Sequence, residues 1–244
     1  LSRRQRQMCI RDSSEAFAKF KSILESVVYY TVIDKIATNI TERTFALWCR
    51  DVRNIVTAED LDCFVKNTII PTVNDWKLDN KSNFLRLGLN SMQQYRIKFI
   101  LGKITAYVDA LKLGKTTVED LTTYTETAVE IEHIMPQTCT DKGLYGMNEE
   151  EFSVYINRLG NLTLLENTIN RSIQNDVYAN KATYYKQSKF YITSSISELV
   201  NLGQDTAINR TNSLLSSWSD WNKQAIEERQ EMFYRLSEMI WELR

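Results

Sequence analysis

The chain has 244 residues, of which 43% are hydrophobic, 11% aromatic and 25% charged, enough apolar material to close a core and incompatible with a disordered, collagenous or disulfide-stapled chain. Its formal net charge of -1 gives no broad positive field for holding nucleic acid by long-range attraction alone. No stretch approaches the roughly 20 uncharged apolar residues of a membrane helix, and the start is polar and arginine-rich rather than a secretory leader, so a cytoplasmic protein with no membrane partner is expected. The cysteines Cys9, Cys49, Cys63 and Cys139 form no CxxC pair, which disfavours a zinc ribbon and suits a reducing compartment. With 7 glycines and 2 prolines, turn-makers are scarce. A predominantly α-helical α+β fold is therefore expected.

Residues 1–13 are set apart, because Arg3 to Ser13 (RRQRQMCIRDS) has no hydrophobic period and resembles translated adapter sequence from metagenomic reads; a natural basic tail is the alternative. Residues 14–115 read as a helical bundle. Phe17, Phe20, Ile23, Leu24, Val27 and Val28 recur at three and four, as do Ile97, Ile100, Leu101, Ile104, Val108 and Leu111. Between them Phe45, Leu47, Trp48 and Val52 suggest a further helix, and Thr57 reads as the N-cap of another that stops near Pro71.

The period changes within residues 116–192. Val129 to Met135 alternates and runs into Pro136, the signature of a strand with a forced exit. A loop with Gly143 and Gly146 follows, then Leu159 to Leu165 as a second strand, and then Asn167 as N-cap of a helix through Ile169, Ile173 and Val177. Residues 193–244 read as packing helices, with Trp221, Ile226, Phe233, Leu236, Met239 and Ile240 on one face and Glu227, Glu228, Arg229 and Glu231 off it. Trp48, Trp76, Trp218, Trp221 and Trp241 sit among helical apolar positions and read as core.

His133 is the single histidine, so a general base with an unperturbed pKa of about 6.5 has one imidazole candidate. Glu132 precedes it, Pro136 ends its strand, and a segment with Asn161, Asn167 and Asn170 follows. Residues 167–192 carry Arg171, Lys181, Lys186 and Lys189 against the lone Asp176, with Tyr178, Tyr184, Tyr185 and Tyr191 interleaved, a pattern suited to phosphate contacts that do not read sequence or to an ordinary solvated face. No GxxxxGK[ST] or GxGxxG loop occurs. Cys139 is not read as a nucleophile, since no activating neighbour is evident.

Glu132-His133-Ile134-Met135-Pro136-Gln137, then Gly160-Asn161-Leu162-Thr163-Leu164-Leu165, then Asn170 resemble an HNH (ββα-metal) nuclease motif. Together with Asn180-Lys181, Tyr185 to Ser188, and Trp221, Ile226 and Arg229, the pattern is most similar to the C-terminal domain of GmrSD-type modification-dependent restriction endonucleases. The resemblance spans residues 116–244 and more loosely the helices before them. It implies a helical bundle enclosing a small ββα-metal motif, and an anti-phage DNA endonuclease hydrolysing phosphodiester bonds with Mg²⁺ or Mn²⁺. It also implies two partners: modified phage DNA, and an N-terminal nucleotide-dependent module of the same protein. Carried over, His133 is the general base, Asn161 orients it, Glu132 and Asn170 are the metal ligands, and Arg171 and Lys181 contact substrate. Asn167 is an alternative helix ligand. A non-catalytic helical module with a relic motif, or an RNA-cleaving variant, are the other readings. One difficulty is geometric: in a regular strand Glu132 and His133 face opposite ways, so a twist or break is needed to bring both to one site.

Overall fold

The computed structural model describes residues 14–118, 120–139 and 142–243; the segment set apart at the start of the chain lies outside them. The described residues form two compact units, one running to Phe84 and including Trp241 onward, the other Leu85–Ile240. The division falls inside the stretch that periodicity groups as one helical region. No helix among the described residues is long and apolar enough to cross a membrane.

The first unit is helical. α1 (Ser14–Ile33) and α2 (Thr38–Val52) lead to α3 (Ala58–Phe64). α1 buries Ile23, Ser26, Val27 and Tyr30, at spacings of three and four, whereas Phe17 and Val28 are exposed, so the apolar stripe expected from sequence is rotated and Ser26 occupies one of its positions. The Thr57 cap of α3 is present in full: Thr57 Oγ1 accepts from the Asp60 amide at 3.1 Å, and Asp60 accepts from the Thr57 amide at 2.9 Å, a reciprocal capping box. The expected stop at Pro71 is not observed. The path continues through a π-helical turn (Val65–Ile69), in which the Ile70 amide donates to Val65 O, into α4 (Ile70–Trp76), with Pro71 just past that turn. α5 (Asn80–Leu85) follows.

The second unit is built on α6 (Gln94–Lys112), which buries Ile97, Ile100, Leu101, Ile104 and Val108 as the period requires. After α7 (Thr122–Thr125) comes a two-stranded antiparallel sheet of β1 (Val129–His133) and β2 (Leu162–Glu166), in register from Val129 opposite Glu166 to His133 opposite Leu162. The second strand is shorter than expected, because Leu159–Asn161 coils into a 3₁₀ turn before it. Between the strands lies α8 (Glu149–Tyr155), capped by Asn148. β2 runs directly into α9 (Asn167–Ile173), whose N-cap is Glu166 rather than Asn167. The helix expected to continue to Val177 breaks at Gln174, which has φ 45°, and restarts as α10 (Tyr178–Tyr185). α11 (Tyr191–Ser194), α12 (Ala207–Asn212) and the long α13 (Lys223–Ile240) complete the unit. Ile134, Met135, Phe152, Leu165, Tyr178, Tyr185, Trp221 and Ile226 share one apolar cluster, which places the end of β1 against the core. The fold is α+β and predominantly helical.

Candidate active site

Side chains alternate across β1, and Glu130 and Glu132 are the two that engage the helices following β2. Asn170 of α9 donates Nδ2 to Glu130 Oε2 at 2.7 Å. Lys181 and Tyr185, one turn apart and thus on one face of α10, both reach Glu132 Oε1, at 2.6 and 3.1 Å. The Lys181 ammonium also donates to the His133 carbonyl at 2.7 Å. It is 1% exposed: the charge expected to contact phosphate is bonded to the strand that carries the histidine. Burial pushes the Glu132 carboxyl above its ordinary range, with Lys181 and Tyr185 pulling the other way.

His133 closes the strand, and the chain bends at Ile134 and Met135 immediately after it. Its ring is buried. Gln137 presents its amide nitrogen to Nδ1 at 3.1 Å, so Nδ1 is the acceptor and the neutral ring carries its proton on Nε2. Nε2 is buried without a hydrogen-bond partner. Desolvation pushes the imidazole below its ordinary value, the Asn157 side chain opposes this, and the Lys181 charge adds to it. The ring is therefore neutral at pH 7.

Asn161 is fully buried and holds the turn after β1. Its Oδ1 accepts from the Met135 amide at 2.8 Å and from Trp221 Nε1 at 2.9 Å, while Nδ2 donates to Ile156 O at 2.8 Å. None of these hydrogen bonds reaches the imidazole; they fix the backbone two residues downstream. Around it, Arg229 Nη1 donates to the carbonyls of Gly160 and Leu162 at 2.9 and 2.7 Å, and the Gly160 amide donates to Gln230 at 2.7 Å. A Cβ on Gly160 would stand 2.2 Å from the Ile226 carbonyl, so only glycine lets α13 close on the turn. Arg229, expected off the apolar face, is 0% exposed with its guanidinium over the Phe233 ring at 4.4 Å. Burial pushes its pKa down to about 9.

A concavity of about 410 Å³ is lined by Ile131, Glu132, His133, Gln137, Asn170, Arg171, Gln174, Asn175 and Lys181. It is lined by residues of both faces of β1, so Glu132 and His133, which a regular strand turns to opposite sides, border one concavity. Arg171 is exposed at its rim. Neither Asn161 nor Asn167, the alternative ligand, is among the lining residues. The family model described as GmrSD restriction endonucleases, C-terminal domain, matches residues 73–236, well over half of the chain. The chain belongs to that family. No curated protein matches it.

Within this GmrSD C-terminal domain the oxygen donors fit a hard divalent cation. Glu132 Oε2 and Asn170 Oδ1 accept no hydrogen bond from any other side chain among the described residues, and both residues line the concavity. Two protein oxygens with water and phosphate completing the shell is the usual arrangement for Mg²⁺. No group of three or more His, Cys, Asp or Glu able to hold a metal occurs among the described residues. Sequence reasoning missed Glu130 and Asn157 in this GmrSD domain, and quoted Gln137 and Tyr185 within the family pattern without giving them a role. The alternation that picks out Glu132 also picks out Glu130, two residues earlier on the same face, and was the available signal.

Proposed function

We propose that the hairpin and α9 form an HNH-type, ββα-metal site that hydrolyses DNA phosphodiester bonds within a bacterial, modification-dependent restriction protein acting on phage DNA. The observation that supports this most is the meeting of His133, Glu132, Asn170 and Arg171, from a strand and a helix, on one concavity. His133, kept neutral by burial, serves as general base through Nδ1 once Gln137 gives way to water. Glu132 Oε2 and Asn170 Oδ1 are the atoms that would hold Mg²⁺ or Mn²⁺, which would supply charge stabilisation at the reacting phosphate and the leaving oxygen. Lys181 and Tyr185 keep the Glu132 carboxylate aligned, Asn161 fixes the bend that sets the His133 ring, and Arg171 anchors a flanking phosphate. The near-zero net charge fits a domain whose DNA is delivered by another part of the protein, here the nucleotide-dependent N-terminal module.

The ion pair of Lys181 with Glu132 favours a second reading, in which the hairpin is a relic that docks on DNA without cutting it. Nicking of supercoiled plasmid in Mg²⁺ or Mn²⁺ separates the two. On the catalytic reading His133→Ala lowers the rate by about a hundred- to ten-thousand-fold. Equal nicking by both proteins removes the assigned mechanism, and plasmid retention without nicking by either selects the docking reading.

A further inference from the structure

We infer that Glu130 is a positioning residue that fixes which end of the Asn170 amide faces the concavity. The inference rests on the metal site proposed above and adds a residue to it. Asparagine offers one acceptor oxygen and one donor NH₂ on a side chain whose last torsion turns readily through half a circle. Left alone, Asn170 presents either end to the concavity. A carboxylate only accepts, so the contact of 2.7 Å between Glu130 Oε2 and Asn170 requires the NH₂ end to face Glu130. The oxygen is then the end left free of Glu130, on a residue that lines the concavity, and it accepts no hydrogen bond from another side chain among the described residues. Glu130 itself is not among the residues lining the concavity, so it acts through Asn170 rather than as a ligand.

The pairing needs reach and an acceptor more than it needs charge, and two variants separate these. Glu130→Gln keeps the reach and an acceptor oxygen while removing the charge; it permits the turned-over amide as well, which dilutes the competent form about two- to threefold. Glu130→Asp keeps the charge but withdraws the carboxylate by one methylene, beyond hydrogen-bond distance. Without that bond Asn170 is released in its first torsion as well as its last, so more than the choice between two amide ends is lost, and loss of such an outer partner of a metal ligand weakens binding about tenfold or more. The experiment is titration of the full chain with Mn²⁺ alone, free Mn²⁺ being read by electron paramagnetic resonance, with thermal unfolding of each variant as the control for folding. The expected order of affinity is wild type, then Glu130→Gln within about threefold, then Glu130→Asp about tenfold weaker. The reverse order of the two variants makes Glu130 a simple charge or a ligand and overturns the inference, as does an affinity unchanged in both. Asn170→Ala distinguishes this failure from that of the site: if it binds Mn²⁺ as wild type does, the metal site itself falls and the role of Glu130 with it.

Discussion

The interiors of the two units are built differently. Among the described residues of the first, the buried polar side chains are Ser26 and Asn80, set among Val27, Trp48, Ile69 and Val73. The second buries Glu132, His133, Asn161, Thr163, Lys181, Thr193, Arg229 and Gln230, and most of their polar atoms are hydrogen-bonded. Burying such groups is unfavourable unless each finds partners, so their concentration marks where backbone placement is held by directional bonds rather than by packing alone. The family match over residues 73–236 covers this second unit almost entirely.

The contrast breaks most readily at the buried ion pair. Lys181→Met leaves Glu132 as an uncompensated buried charge and is expected to destabilise the second unit by about 3–5 kcal/mol, read from urea unfolding; a loss no larger than that of a surface substitution removes the idea that polar bonds hold this interior. A methyl deletion in the first unit sharpens the other side. Ile69→Val, at a site with no exposure, should cost about 0.5–1.5 kcal/mol and leave plasmid nicking at 25 °C unchanged. The smallest effect concerns pH. The imidazole of His133 lies below 6.5 in the fold, so the unfolded chain binds its proton first. The stabilisation tied to the neutral ring is complete above pH 6.5 and is lost as pH falls through that value toward the folded one. The acid limb of the nicking rate accordingly lies below pH 6.5, and a limb above it would contradict the burial of the ring.

Local signals in the sequence reported local structure well. The Thr57 cap, the α6 stripe, the strand before Pro136 and the hairpin-then-helix order were legible because each depends on neighbours within a few residues. What was not legible depends on distant partners. Arg229 reads as a solvent-facing charge by its period, and only the Gly160 and Leu162 carbonyls, nearly 70 positions earlier in the chain, turn it inward. Lys181 reads as a free cation because its partner Glu132 is 49 residues away. His133 was singled out as the one histidine, Arg171 as part of a basic segment, and Glu132 and Asn170 by the family resemblance, whereas the bonds of Glu130 to Asn170 and of Gln137 to His133 depend on the fold. The continuation past Pro71 was missed for a different reason: proline usually ends a regular α-helix, whereas here a π-helical turn immediately before it carries the chain on.

Gly160 carries a lesson about timing. The groups pressed against it belong to α13, which follows both strands in the chain, so the hairpin with its histidine is synthesised before the wall that clamps its middle turn exists. A chain cut short ahead of Lys223 would retain every letter of the motif yet lack the buttress that gives those letters a fixed shape.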